Sequence, residues 1–209
     1  MIEIYDILKV QDHIQGLKAL VFDMDDTLYG EKEYVRSGYR QIAALFPEIS
    51  GAEERLWQLF EEKKAAIDVF LEEIGRDTSQ MKQMCLHTYR YQMPTIHLYP
   101  GVKEMLCQLK EQGFLLGVIT DGRPEGQRAK IRALGLEKLV DEIIVTDELG
   151  GVEFRKPNPL AFEKMKERLG VDYCEMCYVG DNVGKDFISP EQLGMRSIWF
   201  RNKDGLYTK

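Results

Sequence analysis

Five short apolar runs, at 19–22, 114–119, 142–145, 176–179 and 197–200, are rich in branched residues, as expected of strands buried on both faces. The later ones alternate with amphipathic stretches at 102–112, 125–134, 159–169 and 184–193, each followed by a glycine, the usual stop at a helix C-terminus. Strand and helix in strict alternation admit few architectures. The pattern predicts an α/β chain: a Rossmann-like parallel sheet with helices on both faces.

The stretch 31–96 breaks the alternation, since it contains no convincing strand. Ser50 and Glu53 make a candidate capping box ahead of one long amphipathic helix, whose apolar stripe runs through Leu56, Leu59, Phe60, Lys63, Ile67, Phe70 and Leu71. A further helix is expected over 79–91, with Pro94 closing the block. The expected organisation is therefore a core of residues 1–30 and 97–209, with an all-helical cap domain, 31–96, inserted between the first two core strands. An insertion at that point is expected to lie over the carboxyl edge of the sheet, where such folds bind ligands.

Composition narrows the class further. The chain has 209 residues, 44% of them hydrophobic and 30% charged, enough for a sizeable core without disorder or repeats. No apolar run approaches the roughly 18 residues of a membrane span, and the N-terminus lacks the layout of a signal peptide, so no membrane partner and a cytoplasmic location are expected. A net charge of −7 argues against nucleic acid as a partner. Cys174 and Cys177 form a lone CxxC with no second pair to complete a zinc site, and they run into a strand instead of opening a helix, so they are read as structural thiols. His13, His87 and His97 are scattered and show no ligand spacing.

Four segments at the ends of expected strands or the start of a helix carry compatible chemistry. They are Asp23-Met24-Asp25-Asp26-Thr27, Thr120-Asp121-Gly122, Arg155-Lys156-Pro157-Asn158-Pro159, and Gly180-Asp181-Asn182 with Asp186 beyond. Of two carboxylates two residues apart, one can attack phosphorus as a nucleophile while the other exchanges protons with the leaving oxygen and with water. Asp23, Asp25, Asp181 and Asp186 would repel one another if brought together bare, and a hard divalent cation with oxygen ligands, Mg²⁺ above all, resolves that. Thr120 and the backbone amides of Asp121 and Gly122 can hold phosphoryl oxygens, and Lys156 can neutralise the charge that develops in transfer. Taken singly, each segment has a plain structural reading as a turn, a cap or a helix start.

Taken together, the segments resemble the four motifs of the haloacid dehalogenase superfamily. FDMDDTLY is similar to its first motif, VITDG to the second, RKPNP to the third and VGDNVGKD to the acidic fourth. LYPGVKEML is similar to the family's entry into its second core strand after a helical cap, so the resemblance covers most of the chain. It implies Asp23 as nucleophile, Asp25 as general acid and base, Thr120 as phosphate binder and Lys156 as charge stabiliser, with Asp121 and Gly122 lining the phosphate site. It implies a metal held by the Asp23 side chain, the Asp25 carbonyl and Asp181. Asp186 would act either on that metal through water or on Lys156. The stretch 1–16, with a loose helical stripe expected through Ile4, Ile7, Leu8 and Ile14, departs from the family's usual start.

Within that family, the acid at position 25 separates phosphoryl transfer from halide displacement, which needs no protonated leaving oxygen. The expectation is an Mg²⁺-dependent phosphatase acting through an aspartyl-phosphate on a small phosphorylated metabolite, such as a sugar phosphate or nucleotide, as a monomer or small homo-oligomer. A sugar phosphomutase shares all four motifs and differs in the acceptor. A silent binding module on the same fold would be expected to lack one of the four chemical positions, and none is missing. Lys32, Arg36 and Arg40 are candidates for anion contact, each balanced by the plainer reading of a solvated helix charge.

Overall fold

The computed structural model describes residues 1–206. Six strands, β1 (Ile2–Ile4), β2 (Ala19–Phe22), β3 (Leu115–Thr120), β4 (Glu142–Val145), β5 (Met176–Gly180) and β6 (Arg196–Phe200), form one all-parallel sheet in the order β1-β6-β5-β2-β3-β4. The first long strand in sequence is thus an inner strand. Phe22 pairs with Val118 on one side and Val179 on the other, which puts the residues following β2, β3 and β5 side by side at one edge.

Alternate side chains of the central strands point to opposite faces, and both sets are buried. Ala19, Val21, Ile119, Ile144, Met176 and Tyr178 pack with Phe162, Met165 and Leu169 of helix α7 (Leu160–Leu169). Leu20, Phe22, Leu116, Val118, Cys177 and Val179 turn the other way and are equally enclosed, so a sheet covered on both faces explains why these strands read as unbroken apolar runs. Helix α5 (Val102–Glu111) packs on β3, α6 (Pro124–Leu134) on β4 and α8 (Ile188–Leu193) on β6. At Gly117 α7 comes close to the sheet: a Cβ there would lie 2.6 Å from the Met165 sulfur.

Two compact units divide the chain, Met1–Glu31 with His97–Lys209, and Lys32–Ile96. The second is made from α1 (Glu31–Ala43), α2 (Ala52–Glu61), α3 (Ala66–Glu73) and α4 (Ser79–Arg90). Its own core gathers Tyr39, Ile42, Phe46, Leu56, Leu59, Phe70, Leu71 and Cys85, with Phe46 and Phe70 edge to face at 5.6 Å. Among the described residues no helix is long and apolar enough to cross a membrane.

Four local expectations need correction. The stretch 1–16 is not one helical stripe: Ile2–Ile4 add an edge strand to β6, and Ile7–His13 form a 3-10 helix capped by Asp6, whose carboxylate accepts from the Leu8 amide at 2.9 Å. The expected helix over 184–193 forms only from Ile188, because residues 182–187 turn so as to bury Asp186, and Pro190 is tolerated in the first helical turn. The single helix after Ser50 is two helices. Lys63 adopts φ +57° after α2, its amide bonding the Phe60 carbonyl while the Lys64 amide bonds that of Leu59, a Schellman stop made without the usual glycine. The Ser50/Glu53 capping box is absent as well. Gly51 is the N-cap and offers no side chain, while the Glu53 carboxylate pairs with Arg36 and Arg40 instead.

Phe162 is fully buried and meets the ring of Tyr178 edge-on at 5.0 Å. Its truncation to alanine is expected to cost about 3–5 kcal/mol, read as a lowered urea midpoint at unchanged slope.

Candidate active site

The site begins where β2 ends. Asp23 follows Phe22 directly, its amide donates to the Val179 carbonyl at 2.8 Å, and its side chain is buried. From the start of a loop before α7 the fully buried Lys156 brings its ammonium to 2.6 Å from Asp23 Oδ1, 2.8 Å from Asp186 Oδ1 and 2.9 Å from the Tyr178 hydroxyl. Asp186 also accepts from the Asn182 amide at 3.0 Å through Oδ2, and a Cβ on Gly180 would stand 2.6 Å from that same oxygen. Glycine at 180 is therefore what lets Asp186 fold back under the strand end.

Asp181 completes the group, and carboxylate oxygens of Asp23, Asp181 and Asp186 all lie within 4.8 Å of one another. Burial, followed by the charges of Asp23 and Asp186, pushes Asp181 up to about 8. Burial also drives Asp23 up to about 7, against the pull of Lys156. For Lys156, burial by itself would favour the neutral amine, but Asp186 and Asp23 outweigh it and hold its pKa well above the ordinary value. One ammonium among three carboxylates leaves surplus negative charge, and the cluster consists of hard oxygen donors, so the residues present fit a divalent cation of the Mg²⁺ kind.

The Asp25 carboxylate lies outside this cluster, so its expected part at a metal rests on the backbone carbonyl alone. Its Oδ1 accepts from Lys130 Nζ at 2.7 Å and from the Tyr29 hydroxyl, while Oδ2 accepts from Gln127 Nε2 at 2.8 Å. Burial opposes ionisation here, yet Lys130 and the other donors prevail and hold Asp25 below the ordinary carboxylate range. Glu31 nearby is pushed up to about 7, first by burial and then by the charge of Asp25.

Thr120, fully buried at the end of β3, accepts from Gln127 Nε2 at 2.5 Å. The neighbouring Asp121 side chain is an anchor: it accepts from Thr146 Oγ1, the Lys156 amide and Lys185 Nζ, each at 3.0 Å, and so ties together the second, third and fourth motif segments. Gly122 has φ +140°, a conformation glycine enters freely, and any Cβ there would press on the Gln127 stem at 3.1 Å.

The structure thus brings Asp23, Thr120, Lys156, Asp181 and Asp186 to one strand edge, with Asp25, Asp121 and Gly122 around them. Sequence reasoning missed Tyr29, Gln127, Lys130, Tyr178 and Lys185. Gln127 and Lys130 sit one helical turn apart, three residues being the signal of a shared face, but the partner of that face is on another element. Asp26 is structural: at φ +56° its Oδ1 accepts from the Glu31 amide at the start of α1, its Oδ2 from the Leu206 amide, and its carbonyl from Asn202 Nδ2. Of the three candidate cations at the start of the helical unit, Arg36 and Arg40 are held by Glu53, and Arg36 lies 5.0 Å over the Trp57 ring.

A parallel α/β sheet with an acid-and-lysine cluster at its carboxyl edge defines an enzyme of the doubly wound class. More narrowly, the chain belongs to the haloacid dehalogenase-like hydrolases, whose family model matches residues 20–200. It is similar to a glyceraldehyde 3-phosphate phosphatase of Methanopyrus kandleri, 32% identical over 88% of this chain and 84% of the relative. It is similar also to a protein of the same name from Methanocaldococcus jannaschii, 30% identical over 87% and 84%. Among solved structures, a HAD phosphatase from Thermococcus onnurineus superposes with a TM-score of 0.56 at 26% identity, covering 91% of this chain and 90% of that one.

Removing the cation that two buried carboxylates share leaves both uncompensated. Lys156→Met is accordingly expected to lower stability by about 3–5 kcal/mol, measured by urea unfolding in metal-free buffer.

Proposed function

We propose that this protein hydrolyses a small phosphorylated metabolite by passing the phosphoryl group through Asp23. The observation that carries the reading is the Asp23 carboxylate itself, at the carboxyl end of an inner strand, paired with a fully buried lysine and grouped with two further acids. An Asp23 oxygen attacks phosphorus, the bond from phosphorus to the ester oxygen breaks, and Asp25 gives a proton to that oxygen, releasing the alcohol. Asp25 carries the proton it gained in the hydrolytic step of the preceding turnover, although Lys130 and its other donors favour the anion. A water then attacks the aspartyl-phosphate, Asp25 takes its proton, and the bond from Asp23 to phosphorus breaks to release inorganic phosphate.

Lys156 balances the charge of the nucleophile and of the phosphoryl group in flight, and Thr120 with the amides of Asp121 and Gly122 orients the phosphoryl oxygens. Asp23 and Asp181, with the Asp25 carbonyl, would hold Mg²⁺, and Asp186, already against Lys156, would support that set. Bound there, the ion would supply Lewis-acid charge to the phosphoryl oxygens. The names of the relatives make a three-carbon sugar phosphate the first substrate to try, and the helical unit 32–96, inserted in sequence between the Asp23 and Thr120 segments, is where we place substrate selection.

The test is phosphate release from a panel of small phosphomonoesters that includes glyceraldehyde 3-phosphate. Turnover is expected to vanish on exhaustive chelation and to return with Mg²⁺. The same ion should raise the melting temperature of the metal-free protein, by an amount equivalent to about 2.7 kcal/mol at a hundredfold excess over its Kd, and should do so far less for Asp181→Asn. Asp23→Asn should still fold, as judged by circular dichroism, at a lowered melting temperature because Lys156 loses a partner, and should release no phosphate, since an amide does not attack phosphorus. Wild-type turnover in that variant would remove Asp23 from the chemistry.

A further inference from the structure

One pair of residues on α6 reaches across to the first motif, and neither the sequence motifs nor the mechanism above gives it a task. Lys130 and Gln127 are both buried, one helical turn apart on the face of α6 that meets the end of β2. The Lys130 ammonium is 2.7 Å from Asp25 Oδ1 and lies 6.0 Å over the Tyr29 ring, whose hydroxyl donates to the same oxygen. Gln127 uses one amide nitrogen twice, toward Asp25 Oδ2 at 2.8 Å and toward Thr120 Oγ1 at 2.5 Å.

These contacts are not symmetrical. Oδ1 takes two donors and is saturated, whereas Oδ2 takes one and keeps a lone-pair direction open. The Gln127 amide also ties the orientation of the acid to that of the phosphate-binding hydroxyl. With its oxygen engaged as an acceptor, Thr120 has its own O–H proton left to donate. The ion pair is a poor device for stability alone, because burying two charges costs about as much as their attraction returns. Gly122 leaves the room that the Gln127 stem occupies.

We infer that Lys130 and Gln127 are positioning residues for the transfer step: they fix the Asp25 carboxylate so that Oδ2 faces the leaving-group oxygen, in register with a phosphoryl group held by Thr120. The inference rests on the proposed role of Asp25. It requires that losing either residue harms esters in proportion to their need for a proton on the departing oxygen. An alkyl ester, whose alkoxide leaves badly, depends on Asp25. A 4-nitrophenyl ester, whose phenolate leaves unaided, scarcely does.

The experiment compares kcat/KM, which reports the steps through aspartyl-phosphate formation, for an alkyl phosphate and 4-nitrophenyl phosphate in wild type, K130M, K130R, Q127L, D25N and D25N/K130M. K130M is expected to lose about 10²-fold on the alkyl ester, the low end of what general acid catalysis contributes, and far less on the aryl ester. K130R should recover most of the alkyl-ester rate. D25N/K130M should be no slower than D25N, because Lys130 acts through Asp25. Q127L, which also loosens Thr120, should lower both rates but still shift their ratio toward the aryl ester, and it decides the matter if circular dichroism shows K130M unfolded.

Equal losses on both esters, or an undiminished further loss when K130M is added to D25N, would overturn the inference. If D25N is impaired while K130M and Q127L keep the wild-type ratio, the positioning role falls and the reading of Asp25 stands. If D25N itself keeps full alkyl-ester activity, the acid and base reading falls and takes this inference with it.

Discussion

The ammonium of Lys156 is the point on which the site depends. It lies without exposure between Asp23 and Asp186, and its backbone amide is fixed by Asp121, which also binds Thr146 and Lys185. Each partner comes from a different strand end, so a single desolvated charge brings three distant parts of the chain into one geometry. Desolvation is expensive, and the pairing repays it only because both carboxylates are present together. The surplus of negative charge that remains around Asp181 is the electrostatic reason that the cluster suits a cation.

The sheet makes this economical. In a parallel sheet with β2 between β3 and β5, the residues just beyond the three strands are neighbours whatever their separation in sequence. Asp23, Thr120 and Asp181 need only sit at the end of an apolar run or one residue past it. The helices bury the sheet and also aim groups at its edge, as α6 does with Gln127 and Lys130 toward Asp25.

That arithmetic explains what could be read from the sequence. The apolar runs over 19–22 and 142–145 matched the strands to the residue, because both faces are buried and no polar alternation blurs the signal. Asp23, Thr120 and Asp181 could be picked out because each stands at such a boundary, Lys156 because its segment precedes a helix, and Asp186 because it follows Asp181 in the same acidic segment. The three-residue β1 was invisible, being too short for any periodicity, and the break after α2 was hidden because a lysine takes the left-handed position where a glycine would have advertised it. Ser50 and Glu53 had the spacing of a capping box, but Glu53 is drawn off by two arginines of α1, a contact between helices that spacing along one helix does not encode. Gln127 and Lys130 were missed for a similar reason: their partners lie on another element, and only the folded register brings them together.

The edge strand β1 joins segments of the chain that are far apart in sequence. Ile2 stands opposite Ile198 and Ile4 opposite Phe200, and the Arg201 amide adds a bond to the Ile4 carbonyl. β1 therefore stays unpaired until β6, far along the chain, is available. Closing the long loop between β1 and β6 repays its entropy only once the rest of the sheet exists. This makes β1, at the edge of the sheet, the last strand to dock.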